Sequence, residues 1–197
     1  MALVLTIDPL LFGVTWLSGP VMENVCKKFA VSNGNVRQRV PTSANIIDPQ
    51  VIPKGCESMQ QMLLQYCDEP EVIVFGYSQG AQIASAWLRK YAGDSPIGPD
   101  RLRIILIGNP ERGVSHGGGV GKYIDGTPLK DTPNDTAFTV LDVARKDDWY
   151  AQPPVPTHIW DQPRCGQIHC SYWSVDLINP DALSTETVGN TTYLVVS

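Results

Sequence analysis

A β-branched, apolar run, Glu71-Val72-Ile73-Val74-Phe75, leads directly into Gly76-Tyr77-Ser78-Gln79-Gly80, and the helix-forming segment Ala81–Tyr91 follows at once. Few arrangements constrain a fold more. The run has the length and content of a buried strand, and the segment after it has the content of a helix. Only a sharp turn joins them. Glycines at both ends of that turn let the strand and helix backbones pass closely, and the serine between them sits on strained backbone. Ser78 therefore projects from the end of a sheet beside a helix N-terminus, where developing negative charge is favoured.

The same texture recurs along the chain. Strand-like runs lie at Ala2–Ile7, Arg103–Gly108 and Ala137–Val143, with a weaker one at Val36–Val40 and a terminal one at Asn190–Ser197. Helical character marks Met22–Phe29 after Ser18-Gly19-Pro20, Ser58–Tyr66 with Met59, Met62, Leu63 and Tyr66 at helical spacing, and Gln79–Tyr91. Strands alternating with helices predict an α/β fold, a mostly parallel sheet covered by helices on both faces. About five strands in the order 2-1-3-4-5 is the simplest doubly wound solution. It places Ser78 at the carboxyl end of the third strand, where such sheets carry their sites. The length of 197 residues suits one domain over residues 1–197. Pro, Gly, Asp and Thr dominate 109–135 and recur over 152–167, which predicts long functional or mobile loops.

Composition removes several function classes. The net charge of −5, from 15 basic and 20 acidic residues without a basic run, argues against nucleic acid as a partner. No apolar run approaches the roughly 20 residues that span a bilayer. Met1–Pro9 lacks a positive n-region and carries Asp8, so it reads as a strand and not a signal peptide. The expectation is a chain made in the cytoplasm, released by lysis or carried in a virion. The five cysteines, Cys26, Cys56, Cys67, Cys165 and Cys170, show no zinc-ligand spacing and read as free thiols, with a Cys165–Cys170 bridge as the exception in an oxidising compartment. No metal and no organic cofactor is expected.

A serine hydroxyl needs a base before it attacks anything, and there are three histidines. Gly76–Gly80 resembles the nucleophile elbow of α/β-hydrolases, in which the triad follows the chain order Ser, Asp, His. His116 heads Gly117-Gly118-Gly119, a run like some oxyanion loops, but it follows the serine where such a loop should precede it. His158 lies among prolines. His169 stands in Gly166-Gln167-Ile168-His169-Cys170-Ser171-Tyr172-Trp173, a glycine turn entering an aromatic segment, and is the candidate base. The acid belongs just past the strand ending near Val143. Asp147 and Asp148 are both there, with Asp142 an alternative inside the strand. Asp148 is the choice and Asp147 the runner-up. The backbone N–H of Gln79 follows from the elbow as one oxyanion donor. Thr15, in Gly13-Val14-Thr15-Trp16 after the first strand, is the candidate for the second.

Four segments then match one group in order. Phe75–Ala81 resembles the nucleophile segment of the cutinase-like serine esterases, a group that includes the mycobacterial PE-PPE-domain hydrolases and the mycobacteriophage lysin B enzymes. Gly108-Asn109-Pro110-Glu111-Arg112 is similar to their Gly-Asn-Pro-x-Arg, Asp147-Asp148-Trp149-Tyr150-Ala151 to their Gly-Asp-x-Tyr-Ala, and His169-Cys170-Ser171-Tyr172 to their His-x-x-Tyr. The resemblance covers roughly residues 70 to 175 and selects Asp148, with Asp147 in place of the glycine. It implies a cutinase-like α/β-hydrolase acting on lipid or fatty-acyl esters, mycolyl esters of a mycobacterial envelope among them. Trp149, Tyr150, Trp160, Tyr172 and Trp173 are candidates to line an acyl groove or to fill the core beneath the loops. A catalytically silent binding module and a thioesterase or acyltransferase are the rival readings.

Overall fold

The computed structural model describes residues 1–10, 20–25, 34–43, 48–116, 127–152 and 167–197. The first five strands are β1 (Leu3–Ile7), β2 (Val36–Arg39), β3 (Val72–Tyr77), β4 (Leu102–Ile107) and β5 (Thr139–Arg145). Two more follow, β6 (Ala182–Val188) and β7 (Thr191–Val196). Among the described residues the helices include α1 (residues 20–25), α2 (Val51–Gln65) and α3 (Gln79–Tyr91), and residues 167–169 are also helical. All seven strands form one sheet in the order β2-β1-β3-β4-β5-β7-β6. The predicted order of the first five holds, and every pair is parallel except β6 with β7.

Strands β1 and β3 are buried along their whole length, as continuous apolar runs covered on both faces must be. One face packs Leu5, Ile7, Met59, Leu63, Val74, Ile83, Trp87, Ile104 and Phe138 beneath α2 and α3. The other packs Val4, Met22, Phe75, Tyr77, Ile105, Ile107, Val143 and Tyr172. Strand β2 closes one edge and is mostly exposed.

The structure corrects the sequence expectation in three places. The sheet has seven strands and not about five: the terminal strand is β7, and β6, absent from the prediction, pairs with it as an exposed edge. Helix α2 begins at Val51, not Ser58. Its first i to i−4 bond runs from the Lys54 N–H to the Gln50 carbonyl at 2.9 Å, so Pro53 stands where no intrahelical N–H is needed. Gly55 lets α2 approach α3 closely, since a Cβ there would lie 2.5 Å from Ile83 Cδ1 and the Ile83 side chain would have to shift.

The third concerns the described ends of the predicted 109–135 loop, where residues 109–112 and Thr132 are anchored. Asn109, Glu111, Arg112 and Thr132 are all buried. Arg112 Nη1 donates to Asp142 Oδ1 at 2.8 Å and to the Asp142 carbonyl at 2.9 Å, while Asn109 Nδ2 donates to Asp142 Oδ2 at 2.7 Å. Burial pushes the Asp142 carboxyl up, and Arg112 and Asn109 pull it back. Arg89 adds an ion pair to buried Glu111 at 2.7 Å. Removing one partner of such a pair strands the other charge. Arg112→Met is expected to cost about 3–5 kcal/mol, read as a lowered urea midpoint with unchanged m-value.

Candidate active site

The carboxyl ends of β3, β4 and β5 converge on Ser78. Residue 78 has φ 54° and ψ −111°, a left-handed conformation that non-glycine residues rarely hold. Two glycines make the turn sterically open. A Cβ at Gly76 would sit 2.6 Å from the Gly80 carbonyl oxygen, and one at Gly80 would sit 2.1 Å from the Ile7 carbonyl oxygen. Both clashes are with backbone. Gly80→Ala is therefore expected to cost at least about 2 kcal/mol by forcing α3 away from β1, measurable by chemical denaturation. The Ser78 N–H bonds the Ile107 carbonyl at 3.0 Å, tying the elbow to the end of β4.

Ser78, His169 and Asp148 are brought together. His169 Nε2 lies 2.8 Å from Ser78 Oγ, and His169 Nδ1 lies 3.0 Å and 2.9 Å from the two Asp148 carboxylate oxygens. A carboxylate only accepts, so Nδ1 carries the ring proton and Nε2 is left to accept from the serine. Asp148 is fully buried, His169 nearly so and Ser78 partly exposed. Beyond the imidazole, Asp148 takes the Tyr150 N–H at 2.9 Å on Oδ1 and the Tyr172 hydroxyl at 2.7 Å on Oδ2. The Tyr77 hydroxyl donates to the His169 carbonyl, which ties His169 to the last residue of β3, directly before Ser78. Gly108, at φ 54°, leaves room for the imidazole, since a Cβ there would lie 3.0 Å from His169 Cε1.

Asp147 has φ 65°, a region that glycine adopts freely and aspartate tolerates. Asp142 faces Arg112 and Asn109 and makes no bond to His169. His116 stacks on Tyr193 at 4.0 Å between ring centroids, and its Nδ1 meets Glu186 at 3.0 Å. Gln79 opens α3 directly after Ser78, so its N–H is among the helix-start amides without an intrahelical acceptor. Thr15, His158, Trp160, Cys26, Cys165 and the three glycines after His116 lie outside the described residues.

The aromatic candidates separate. Tyr172 is buried, Trp173 is 66% exposed, and Tyr150 is 49% exposed with its ring 4.6 Å from the His169 ring. Tyr150 thus stands at the rim of the site. Cys170 is a free, exposed thiol. Partial burial, then the Asp148 charge, raises its pKa and keeps it a thiol, the weaker nucleophile. Sequence reasoning missed the bonds of Tyr77, Tyr150 and Tyr172. The His-x-x-Tyr spacing was the available signal for the last. Among the described residues no group of three or more His, Cys, Asp or Glu is placed to hold a metal ion, and no helix is long and apolar enough to cross a membrane.

The fold is that of a cutinase-like α/β-hydrolase. A cutinase-like protein from Cryptococcus sp. superposes with a TM-score of 0.54 at 15% identity, over 87% of this chain and 90% of that one. An acetylxylan esterase gives 0.55 at 13%, over 88% and 91%, and the catalytic core domain of an acetyl xylan esterase from Trichoderma reesei gives 0.50 at 13%, over 88% and 96%. At these identities the likeness is one of fold. The chain belongs to the PE-PPE domain family, whose model matches residues 39–159, more than half of its length. That match takes in Ser78 and Asp148, and His169 lies beyond it. Among curated protein sequences none matches the chain.

Proposed function

We propose that this protein is a serine hydrolase of carboxylic esters, with Ser78 as nucleophile, His169 as general base and acid, and Asp148 as the residue that orients the imidazole. The observation that carries the reading is the hydrogen-bonded run from Ser78 Oγ through His169 to Asp148, with the serine on left-handed backbone at the end of β3. His169 Nε2 takes the Ser78 proton as Oγ attacks the ester carbonyl carbon. Asp148 stabilises the imidazolium without taking its proton. The Gln79 N–H, with Thr15 as second donor, meets the oxyanion of the tetrahedral intermediate. His169 returns the proton to the departing alcohol, leaving an acyl group on Ser78, and water activated by His169 then releases the acid. No step requires a metal or an organic cofactor.

We further propose lipid or fatty-acyl esters as the substrate class, mycolyl esters of a mycobacterial envelope included, as the resemblance to lysin B enzymes implies. The half-exposed Tyr150 ring beside His169 supplies an apolar surface at the mouth of the site. Hydrolysis of p-nitrophenyl esters of graded chain length tests both parts. Ser78-dependent turnover that rises with acyl length is the expected result. Turnover confined to thioesters would make the chain a thioesterase, and no turnover on any ester would make it a binding module.

A further inference from the structure

Tyr172 lies three residues after His169, on the short helical turn Tyr172–Ser174, and its side chain is wholly buried. Its hydroxyl touches two groups of fixed polarity. The Arg145 backbone N–H, 2.8 Å away, can only donate, and Asp148 Oδ2, 2.7 Å away, can only accept as a carboxylate. The phenol proton has one destination. Burial, then the negative charge of Asp148, holds Tyr172 well above the usual phenol range, so the proton stays in place. Asp148 consequently receives three donors: His169 Nδ1, the Tyr150 N–H and the Tyr172 hydroxyl.

We propose that Tyr172 is a positioning residue for the ester hydrolysis, its hydroxyl locking the Asp148 carboxylate in the orientation His169 needs and sharing its negative charge. The proposal rests on the Ser78–His169–Asp148 reading above. Other titratable or charged groups around the pair are Tyr77 on β3, Tyr150 on the Asp148 turn, Cys170 beside the base and Arg145 at the end of β5. The Arg145 guanidinium is bonded to Ser171 and Ser174, not to Asp148, so it does not replace the phenol.

The sign of the effect follows. Without the phenol proton, Asp148 keeps more of its negative charge to stabilise the imidazolium. The base is active only when unprotonated, so Tyr172→Phe moves the acid limb of the kcat/KM profile upward, by about half to one pH unit. Looser aim of the imidazole lowers kcat by roughly 10- to 100-fold. KM stays within about twofold because Tyr172 is buried away from solvent and from the ester.

The test compares wild type, Tyr172→Phe, Asp148→Ala and the double variant on p-nitrophenyl butyrate from about pH 5 to about pH 9. Rates are taken per active site titrated with a fluorophosphonate, which corrects for any misfolded fraction. The proposal expects the raised acid limb and the loss in kcat, and less than about a twofold further effect of Tyr172→Phe once Asp148 is already alanine. An unmoved acid limb overturns it. So does an equal loss in the Asp148→Ala background, because Tyr172 would then act as packing alone. A wild type without Ser78-dependent turnover removes the underlying reading instead, and that is seen before any tyrosine variant is made.

Discussion

Replacing Ser78 with alanine is expected to lower kcat/KM for short p-nitrophenyl esters by about 10⁵- to 10⁶-fold while leaving the fold intact. The Oγ atom is the only part of residue 78 that meets His169 Nε2, at 2.8 Å. The backbone at φ 54° is set by Gly76, Gly80 and the end of β4, and alanine must adopt the same strained conformation as serine. The substitution therefore removes the hydroxyl proposed as nucleophile and little else. Initial rates, with the thermal midpoint as control, measure the effect. A loss under tenfold with an unchanged midpoint would mean that ester cleavage proceeds through another group.

Asp148→Ala is expected to cost about 10⁴-fold in kcat, because it removes the acceptor that fixes the His169 tautomer. The same change leaves the Tyr172 hydroxyl and the Tyr150 N–H without their carboxylate. The neighbouring acid gives a sharp contrast. Asp147 is distinguished only by its backbone, at φ 65°, so Asp147→Gly is expected to keep kcat within about twofold and to leave stability equal or slightly higher. Paired kinetics and denaturation of the two variants separate catalysis from turn geometry. Equal losses at 147 and 148 would contradict the assignment.

The centre of the sheet was legible because β1 and β3 are wholly buried and β4 is apolar and buried apart from exposed Arg103, and a parallel doubly wound order follows from strands alternating with helices. Strand β6 was not, since Ala182-Leu183-Ser184-Thr185-Glu186-Thr187-Val188 is almost wholly exposed and owes its order to pairing with β7. The first turn of α2 was hidden by Pro53 and Gly55, residues that argue against a helix until the cap position and the contact with Ile83 are known.

Arg112 and Asp142 illustrate a different limit. The stretch after β4 has the composition of an open loop, yet an aspartate inside Val140-Leu141-Asp142-Val143-Ala144 implies a buried charge in need of a partner. That signal was present and pointed away from Asp142 as the acid of the site. Ser78, Asp148 and His169 were proposed from residue type and order, and the structure brings their side chains within hydrogen-bond distance. The direction of the Tyr172 hydroxyl was not, because it depends on which donor and which acceptor meet across three segments of chain.

The most direct test of a serine nucleophile is to treat the intact protein with a fluorophosphonate probe and locate the adduct by peptide mass spectrometry. The account predicts one adduct, on Ser78, absent in Ser78→Ala and strongly slowed in His169→Ala. No adduct on the folded wild-type protein, or an adduct on another residue that persists in Ser78→Ala, would contradict it.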